Sequence, residues 1–412
     1  MGTFHQEYWV SDGMGQTRAE RKSGAYSYYV PTKLSALEIQ LDSDVVADIV
    51  RAEKALLEID SYSGRLSDLE GLSHFLLRAE AISSSFIEGL QMGAKRLLQA
   101  ELNTSEPHAF KADETAEEIL GNINALKSAL ELAGAENELK LKDITRIHKL
   151  LLGNTPAKEY AGEIRVVQNW IGGNSYNPLT AAHVPPAPEI LEDLMDDLLQ
   201  FSNRHDVSPV QQAALAHAQF ETIHPFVDGN GRSGRAFIHM ILRKRGLLKT
   251  FVPPISLILA AYPKSYIAGL NSIRYDGEQP DDTAYEAINE WLSFFAGSCV
   301  RACNEVKAFG ERAEKLEAQW RTSLGAVRKN SALDALLGKL MGIPVFTANS
   351  ASKVIGRSFQ ATNPAIERLV EVGIAKPYGS ARRNRAYEVP SALDVFRALE
   401  RQLASPASNT HS

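Results

Sequence analysis

A chain of 412 residues with 44% hydrophobic and 23% charged residues has the composition of an ordinary soluble protein of two or three domains. Its formal net charge of −6 argues against a surface that binds nucleic acid or anionic membrane as a whole, while leaving room for a local basic patch. No stretch reaches the ~18 apolar residues of a membrane span, and the opening MGTFHQEYWVSDG lacks the basic, apolar, small-residue order of a secretory signal. A cytoplasmic protein with no membrane partner is expected. Cys299 and Cys303, four apart on an expected helix and with no further Cys or His beside them, read as buried thiols.

In chain order, residues 1–25 are polar with scattered aromatics and no period, and read as a mobile arm or docking tail. Apolar spacing predicts helices over Ser43–Ile59 and Leu69–Ser83. Ser84 and Glu88 follow, four apart and therefore on one helix face, with Gly89 suited to end that helix. Further helices are expected over Asp113–Leu132 and Leu141–Leu152. From Gly162 to Pro188 the texture changes: β-branched and aromatic residues are split by Gly172-Gly173 and closed by prolines, which reads as a short hairpin and loop. Helix resumes over Glu189–Asn203 and Val210–Ile223, then over Ala236–Arg245, Pro253–Ala261 and Tyr285–Ala318. A zinc cluster of His217, Glu221, His224 and His239 is not supported, because H-x₃-E-x₂-H is not the H-E-x-x-H of zinc hydrolases; His217 reads as a packed helix histidine. His148 and His183 have no partners in the sequence, and Trp170 reads as a packing anchor.

Between two of these helices stands His224-Pro-Phe-Val-Asp-Gly-Asn-Gly-Arg-Ser-Gly-Arg235. A loop that ends by starting a helix is an anion site, since the first backbone N–H groups lack intrahelical partners and the dipole favours negative charge. Gly229, Gly231 and Gly234 let backbone approach a ligand and permit turns with φ > 0. Arg232 and Arg235 lie one helical turn apart, and guanidinium forks match phosphate oxygens in pairs. Asp228 is a hard oxygen ligand suited to Mg²⁺. His224 is the motif's one neutral base near pH 7. Together these describe transfer of a phosphate-linked group to a hydroxyl.

The same twelve residues resemble the signature of Fic-domain proteins, H-P-F-x-D/E-G-N-G-R-x-x-R, at every fixed position. The resemblance implies adenylyl transfer: AMP moves from ATP to a Ser, Thr or Tyr hydroxyl of a target protein, itself included, and pyrophosphate leaves. It implies His224 as the base and Asp228 as the Mg²⁺ ligand. Gly229, Asn230, Gly231 and Arg232 would cradle the phosphates, with Arg235 on the γ-phosphate. The Doc branch, a kinase, has Ala and Lys where this chain has Gly229 and Gly231, so the intact G-N-G favours AMP transfer. Ser84-Ser-Phe-Ile-Glu-Gly89 matches the family's inhibitory motif, S/T-x-x-x-E-G/N, which implies that Glu88, with Ser84 and Gly89, holds the enzyme off by taking Arg235. The hairpin at Gly162–Pro188 resembles the family's flap, implying that Arg165, Trp170 and Ile171 dock an extended target segment. Two alternatives stay open: removal of AMP at the same site, and a nucleotide-sensing DNA-binding regulator.

Beyond Ala332, short helical pieces over Ala335–Gly342, Ala348–Gly356 and Pro364–Val372 precede a hairpin with a basic tip, and together they resemble a winged helix-turn-helix. Seven Lys/Arg against three Asp/Glu between Ser350 and Pro390 make this stretch +4. Arg382, Arg383 and Arg385 are its candidate DNA contacts, with a protein partner the other reading and a homodimer compatible with either. Pro364 suits the first position of a helix capped by Asn363, and would kink one that began near Phe359. The expected fold is mainly α: a Fic-type helical bundle with a small β-hairpin flap, plus a winged-helix C-terminal domain. The expected divisions are an arm at 1–25, an N-terminal helical region with the inhibitory helix at 26–135, a catalytic core at 136–310, a linker helix and winged helix at 311–404, and a tail at 405–412.

Overall fold

The structure is a computed structural model that describes residues 2–62, 69–105, 113–134, 138–277, 280–378 and 385–404. It is mainly helical, as the apolar spacing requires. The chain forms two compact units: Met1–Glu53, Ala125–Leu247 and Pro263–Gly297 in one, and Lys54–Asn124, Leu248–Tyr262 and Ser298–Ser412 in the other. These units cut across the expected divisions, grouping residues 54–124 with the C-terminal segment rather than with 26–53.

The first unit opens on a hairpin where an arm was expected. Strand β1 (Thr3–Trp9) pairs antiparallel with β2 (Gly24–Val30) along its whole length, from Thr3↔Val30 to Trp9↔Gly24. The loop between them is ordered by Glu20, whose carboxylate accepts the N–H groups of Gln16 and Thr17, each at 2.7 Å. Helices α1 (Ser43–Tyr62) and α4 (Glu114–Ala133) each begin in one unit and end in the other. The remaining helices of this unit are α5 (Leu141–Leu152), α6 (Leu191–Ser202), α7 (Pro209–Ile223), α8 (Asn230–Lys244), α10 (Pro263–Asn271) and the first part of α11 (Asp282–Leu324).

At the centre of the first unit is α7, buried on nearly every side. A helix so enclosed must satisfy its polar side chains internally. Gln212 Nε2 donates to the Phe201 and Arg204 carbonyls at 2.7 and 3.0 Å. Gln219 Nε2 reaches the Thr32 carbonyl at 2.8 Å, and His217 Nε2 bonds the Tyr266 hydroxyl at 2.8 Å. His217 is thus the packed histidine expected of it. Helix α8 lies against α7 through Gly234, where a Cβ would stand 2.5 Å from Glu221 Oε1 and 3.0 Å from Phe220 Cδ1. Any larger residue would force the side chains of Glu221 and Phe220 to shift.

The second unit contains α2 (Leu69–Ile87), α3 (Ala94–Ser105), α9 (Ile255–Ala261), the end of α11 and everything beyond it. Its core includes Phe75 of α2, which packs against Phe309 and Phe396 with ring centroids 4.9 and 4.3 Å apart. Buried Glu80 caps α9, accepting from Ser256 N and Oγ at 2.9 and 2.5 Å. Cys299 and Cys303, both on α11, are free and buried.

The C-terminal segment runs α12 (Ala332–Leu337), β3 (Val345–Thr347), α13 (Ala348–Ile355), α14 (Phe359–Glu371), β4 (Lys376–Tyr378), β5 (Ala386–Glu388) and α15 (Pro390–Ala404). Its strands form one antiparallel sheet in the order β3-β5-β4. Left-handed Gly356 (φ 61°) makes the turn between α13 and α14. Helix α14 is capped by Ser358, which accepts from Ala361 N at 3.3 Å, not by Asn363. Asn363 instead donates to Glu367 at 2.8 Å. Pro364 therefore lies inside the helix, where it removes one backbone bond. Arg385 is exposed; Arg382, Arg383 and the tail lie outside the described residues.

Candidate functional site

The motif is half loop and half helix. Helix α8 begins at Asn230, several residues earlier than composition suggested, so Arg232 and Arg235 occupy its first two turns and both are buried. Gly229 precedes it with φ 75°, a conformation that favours glycine, and a Cβ there would also meet Leu151 Cδ2 at 3.0 Å. Gly231 and Gly234 are helical, so of the three motif glycines Gly229 carries the left-handed turn.

His224 ends α7. Its N–H donates to the Phe220 carbonyl at 2.8 Å, and its backbone is left-handed, φ 50° and ψ 61°. For a residue with a Cβ that conformation costs roughly 1–3 kcal/mol, and it persists where the surroundings over-determine it. Here they do. Arg165, 2% exposed, donates Nε to the His224 carbonyl at 2.9 Å, Nη2 to Ile223 at 3.4 Å and its backbone N–H to Pro225 at 2.9 Å. It also binds the Val167 and Pro186 carbonyls at 3.0 and 2.6 Å. Burial lowers its guanidinium pKa to about 10, which still leaves it charged at neutral pH.

The next residues are held the same way. Asn230 closes on Phe226 with both ends of its amide, Oδ1 accepting from the N–H at 2.9 Å and Nδ2 donating to the carbonyl at 2.8 Å. Asn169 Nδ2 adds a second donor to that carbonyl at 3.0 Å. His148, fully buried and stacked on Phe226 at 3.7 Å, bonds the Asp228 carbonyl through Nε2 at 2.9 Å. Its Nδ1 accepts the Gly162 N–H at 2.9 Å, so Nε2 carries the proton. Burial lowers its pKa to about 4 and keeps it neutral. His183 Nε2 bonds the Thr222 carbonyl at 3.0 Å, with its pKa lowered to about 3 mainly by burial.

Around this loop stand the groups that can do chemistry. Glu221, one helical turn before His224, has Oε2 at 3.8 Å from His224 Nδ1. Arg235 Nη1 lies 3.4 Å from the Tyr266 hydroxyl. Asp228 is exposed, and its Oδ1 takes the Gly229 N–H at 2.6 Å. Among the described residues no cluster of three metal-ligating side chains occurs. A divalent ion would have Asp228 and complete its shell with phosphate oxygens and water, a donor set that fits Mg²⁺.

Of the sequence-derived candidates, the first unit brings together His224, Asp228, Gly229, Asn230, Gly231, Arg232 and Arg235. Asn230 shapes the loop with its amide instead of offering it to a ligand. Arg165, expected to dock a target, is spent on backbone carbonyls. The expected flap hairpin reduces to one bridge, Ile171↔His183, because Gly172 and Gly173 both turn left-handed (φ 77° and 73°). Ile171 is exposed, as are Val166 and Val167 at 86% and 55%. Half-buried Trp170 is the anchor expected, donating Nε1 to the Asn174 carbonyl at 2.7 Å. Ser84 and Glu88 lie in the second unit, Ser84 buried and Glu88 exposed at the end of α2. Gly89 (φ 81°) ends that helix as expected, with Leu90 N–H donating to Ser85 and Gly89 N–H to Phe86. Sequence reasoning missed His148, Asn169 and His183, for which no local pattern existed.

Residues 138–242 match the family model Fic/DOC family, and residues 46–131 match Fic/DOC family N-terminal. Proteins called Protein adenylyltransferase Fic are similar: that of Drosophila virilis is 32% identical over 219 residues, covering 50% of this chain and 43% of the relative. That of Drosophila melanogaster is 32% identical over 218 residues, covering 50% and 42%. The chain thus spans less than half the length of these relatives. A solved Fic family protein from Desulfovibrio desulfuricans G20 shares the fold, with a TM-score of 0.50 at 19% identity over 83% of this chain and 95% of that one. Residues 46–131 and 138–242, less than half of the chain, thus carry its likeness to the Fic/DOC family.

Proposed function

We propose that the protein transfers AMP from ATP to a Ser, Thr or Tyr hydroxyl of a target protein. The observation that carries this reading is the left-handed His224, fixed at the end of α7 immediately before a helix whose first turns hold Arg232 and Arg235. The activity in the name of the Drosophila relatives supports it.

In this reading ATP lies with its phosphates over the N-terminus of α8, held by backbone N–H groups and by Arg232 and Arg235. His224 accepts the proton of the target hydroxyl. That oxygen bonds the α-phosphorus as the α–β bridging P–O bond breaks, and pyrophosphate departs with the electron pair. Mg²⁺, held by Asp228, would supply charge neutralisation at the phosphates. The chain's own contribution is placement. The base is fixed before substrate arrives, which is where most of the rate in phosphoryl and nucleotidyl transfer originates.

The Val166–Ile171 stretch, exposed at Val166, Val167 and Ile171, is the proposed docking edge for the target, and Glu88 the proposed restraint. The C-terminal segment, with its α13–turn–α14 and antiparallel sheet, is read as a winged-helix docking module. The test is incubation with cell lysate and ATP labelled at the α-phosphate, comparing the parent with His224→Ala and Asp228→Ala. Label on protein that depends on both residues is expected. ATP binding with no labelled protein, in the parent and after removal of Glu88 alike, would make the chain a nucleotide sensor instead.

A further inference from the structure

The N-terminal hairpin has no part in the chemistry above; apart from ties of Gly2 and Tyr29 to residues 273–277, its contacts gather on one loop. Tyr29 of β2 donates its N–H to the Val184 carbonyl at 2.9 Å. His183 pairs in turn with Ile171, through Ile171 N–H to His183 O at 2.8 Å and His183 N–H to Ile171 O at 3.2 Å. Backbone hydrogen bonding thus runs without a break from β1 through β2 to the proposed docking edge. Trp9 at the end of β1 sets its ring edge-on against Trp170, centroids 5.3 Å apart and planes at 77°. Asn177, 1% exposed, donates from Nδ2 to the Ala19 and Glu20 carbonyls at 3.0 and 2.9 Å. A Cβ on Gly24 would come within 3.3 Å of Leu179.

We infer that residues 2–30 are a brace for the 166–184 loop: Trp9 and Asn177 are positioning residues that hold the docking edge in shape for a target segment. This rests on the transfer reading. The loop's own structure is local, a single bridge across two left-handed glycines and one short turn at Pro178–Thr180 capped by Asn177, so its placement depends on ties from outside it. The fastening is by specific ties and not by a packed interface. Between hairpin and loop remains a cavity of about 440 Å³, lined by Phe4, Tyr26, Tyr29, Leu179, His183 and Arg274. Losing one tie should therefore loosen the loop without unfolding the unit.

Two substitutions in the full chain carrying Glu88→Gly test this. Trp9→Ala removes the aromatic edge. Asn177→Ala removes both donated bonds without setting a buried carboxylate against the Ala19 and Glu20 carbonyls. Each should speed amide exchange over 171–184 by at least about tenfold while leaving 222–235 unchanged. Each should also lower protein-bound AMP by about tenfold, while AMP released to water from ATP, which needs no docked segment, stays at the parent level. Trp9→Phe should restore both readouts. Unchanged exchange overturns the brace. Faster exchange with undiminished protein labelling overturns its role in docking. Absence of both protein-bound and free AMP in the Glu88→Gly protein itself would instead overturn the transfer reading, with exchange still deciding whether the brace exists.

Discussion

In the loop that carries His224, each carbonyl from Thr222 to Phe226, and that of Asp228, receives a hydrogen bond from His183, Arg165, Asn169, Asn230 or His148. In the loop at 166–184, two valines and an isoleucine face solvent and one bridge provides the regular pairing. Both loops belong to the first unit and Arg165 touches both. On the proposed function, the contrast separates two demands on one site. Chemistry needs a base fixed within a fraction of an ångström. Recognition of a protein segment needs backbone that can pair while tolerating varied side chains.

The largest expected effect removes the base from the rigid loop. His224→Ala should slow AMP transfer by ~10²–10⁴-fold while ATP binding, measured calorimetrically, changes little, since phosphate contacts lie elsewhere. Transfer at the parent rate would remove His224 from the mechanism.

Next comes the loop's frame. Arg165→Met keeps most of the side-chain volume but strips the donors from the Ile223, His224 and Pro186 carbonyls. Buried acceptors left without partners cost about 1–3 kcal/mol each, so a marked drop in melting temperature is expected. Transfer should fall by roughly 10²-fold through misplacement of His224. A variant with parental stability and rate would show that the left-handed histidine holds itself.

A restraint, if the protein carries one, would act on a site already fixed in shape. The resemblance assigns that role to Glu88, at the end of α2. Glu88→Gly should raise labelling by at least about tenfold, a barrier change of ~1.4 kcal/mol. Unchanged or lower labelling would end the inhibitory reading.

What the sequence made legible, and what it hid, follows the same line. The reacting groups are contiguous within twelve residues, and the helices around them show their period, so motif and helical class could be read directly. His148, Arg165 and Asn169 act through backbone carbonyls up to 80 residues away, and no local pattern announces a donor aimed at a distant carbonyl. The early start of α8 was hidden because two glycines and a serine are poor helix formers; close packing on α7 at Gly234 outweighs that. The N-terminal hairpin was hidden because polar and aromatic residues occupy both faces of β1, and its partner begins only after a loop of 14 residues, Val10–Ser23. The 166–184 loop has strand-like composition, but Gly172 and Gly173 break the extension.

The rigid loop should also show itself in acid. His148, His183 and His217 are held neutral by burial, with pKa values of about 4, 3 and 3. Because these lie below the ordinary value of 6.5, the unfolded chain takes up protons that the folded one refuses. Their contribution is complete above pH ~6.5 and is lost as the pH falls toward about 4 for His148 and about 3 for His183 and His217, by up to about 1.4 kcal/mol per pH unit for each histidine. Melting should therefore drop steadily from pH 7 to pH 5. A flat profile over that range would mean that these rings are not buried as described.

The smallest effect is expected in the exposed partner of the comparison. Val166→Ser and Val167→Ser remove apolar surface that is already in water, so folding stability should move by no more than about 0.5 kcal/mol. The carbonyl of Val167 keeps its bond from Arg165, since the backbone is unchanged. ATP binding and release of AMP to water should also match the parent. If a target segment lies along this edge, its apolar side chains lose a partner, and labelling at low target concentration should fall a few-fold, the worth of about 1 kcal/mol of buried area. The loss should vanish at saturating target, because a docking contact that is the same before and during transfer changes binding and not turnover. A loss that persists at saturation would place these valines among the groups that align the hydroxyl with His224, and the division between a rigid catalytic loop and a tolerant docking loop would have to be redrawn.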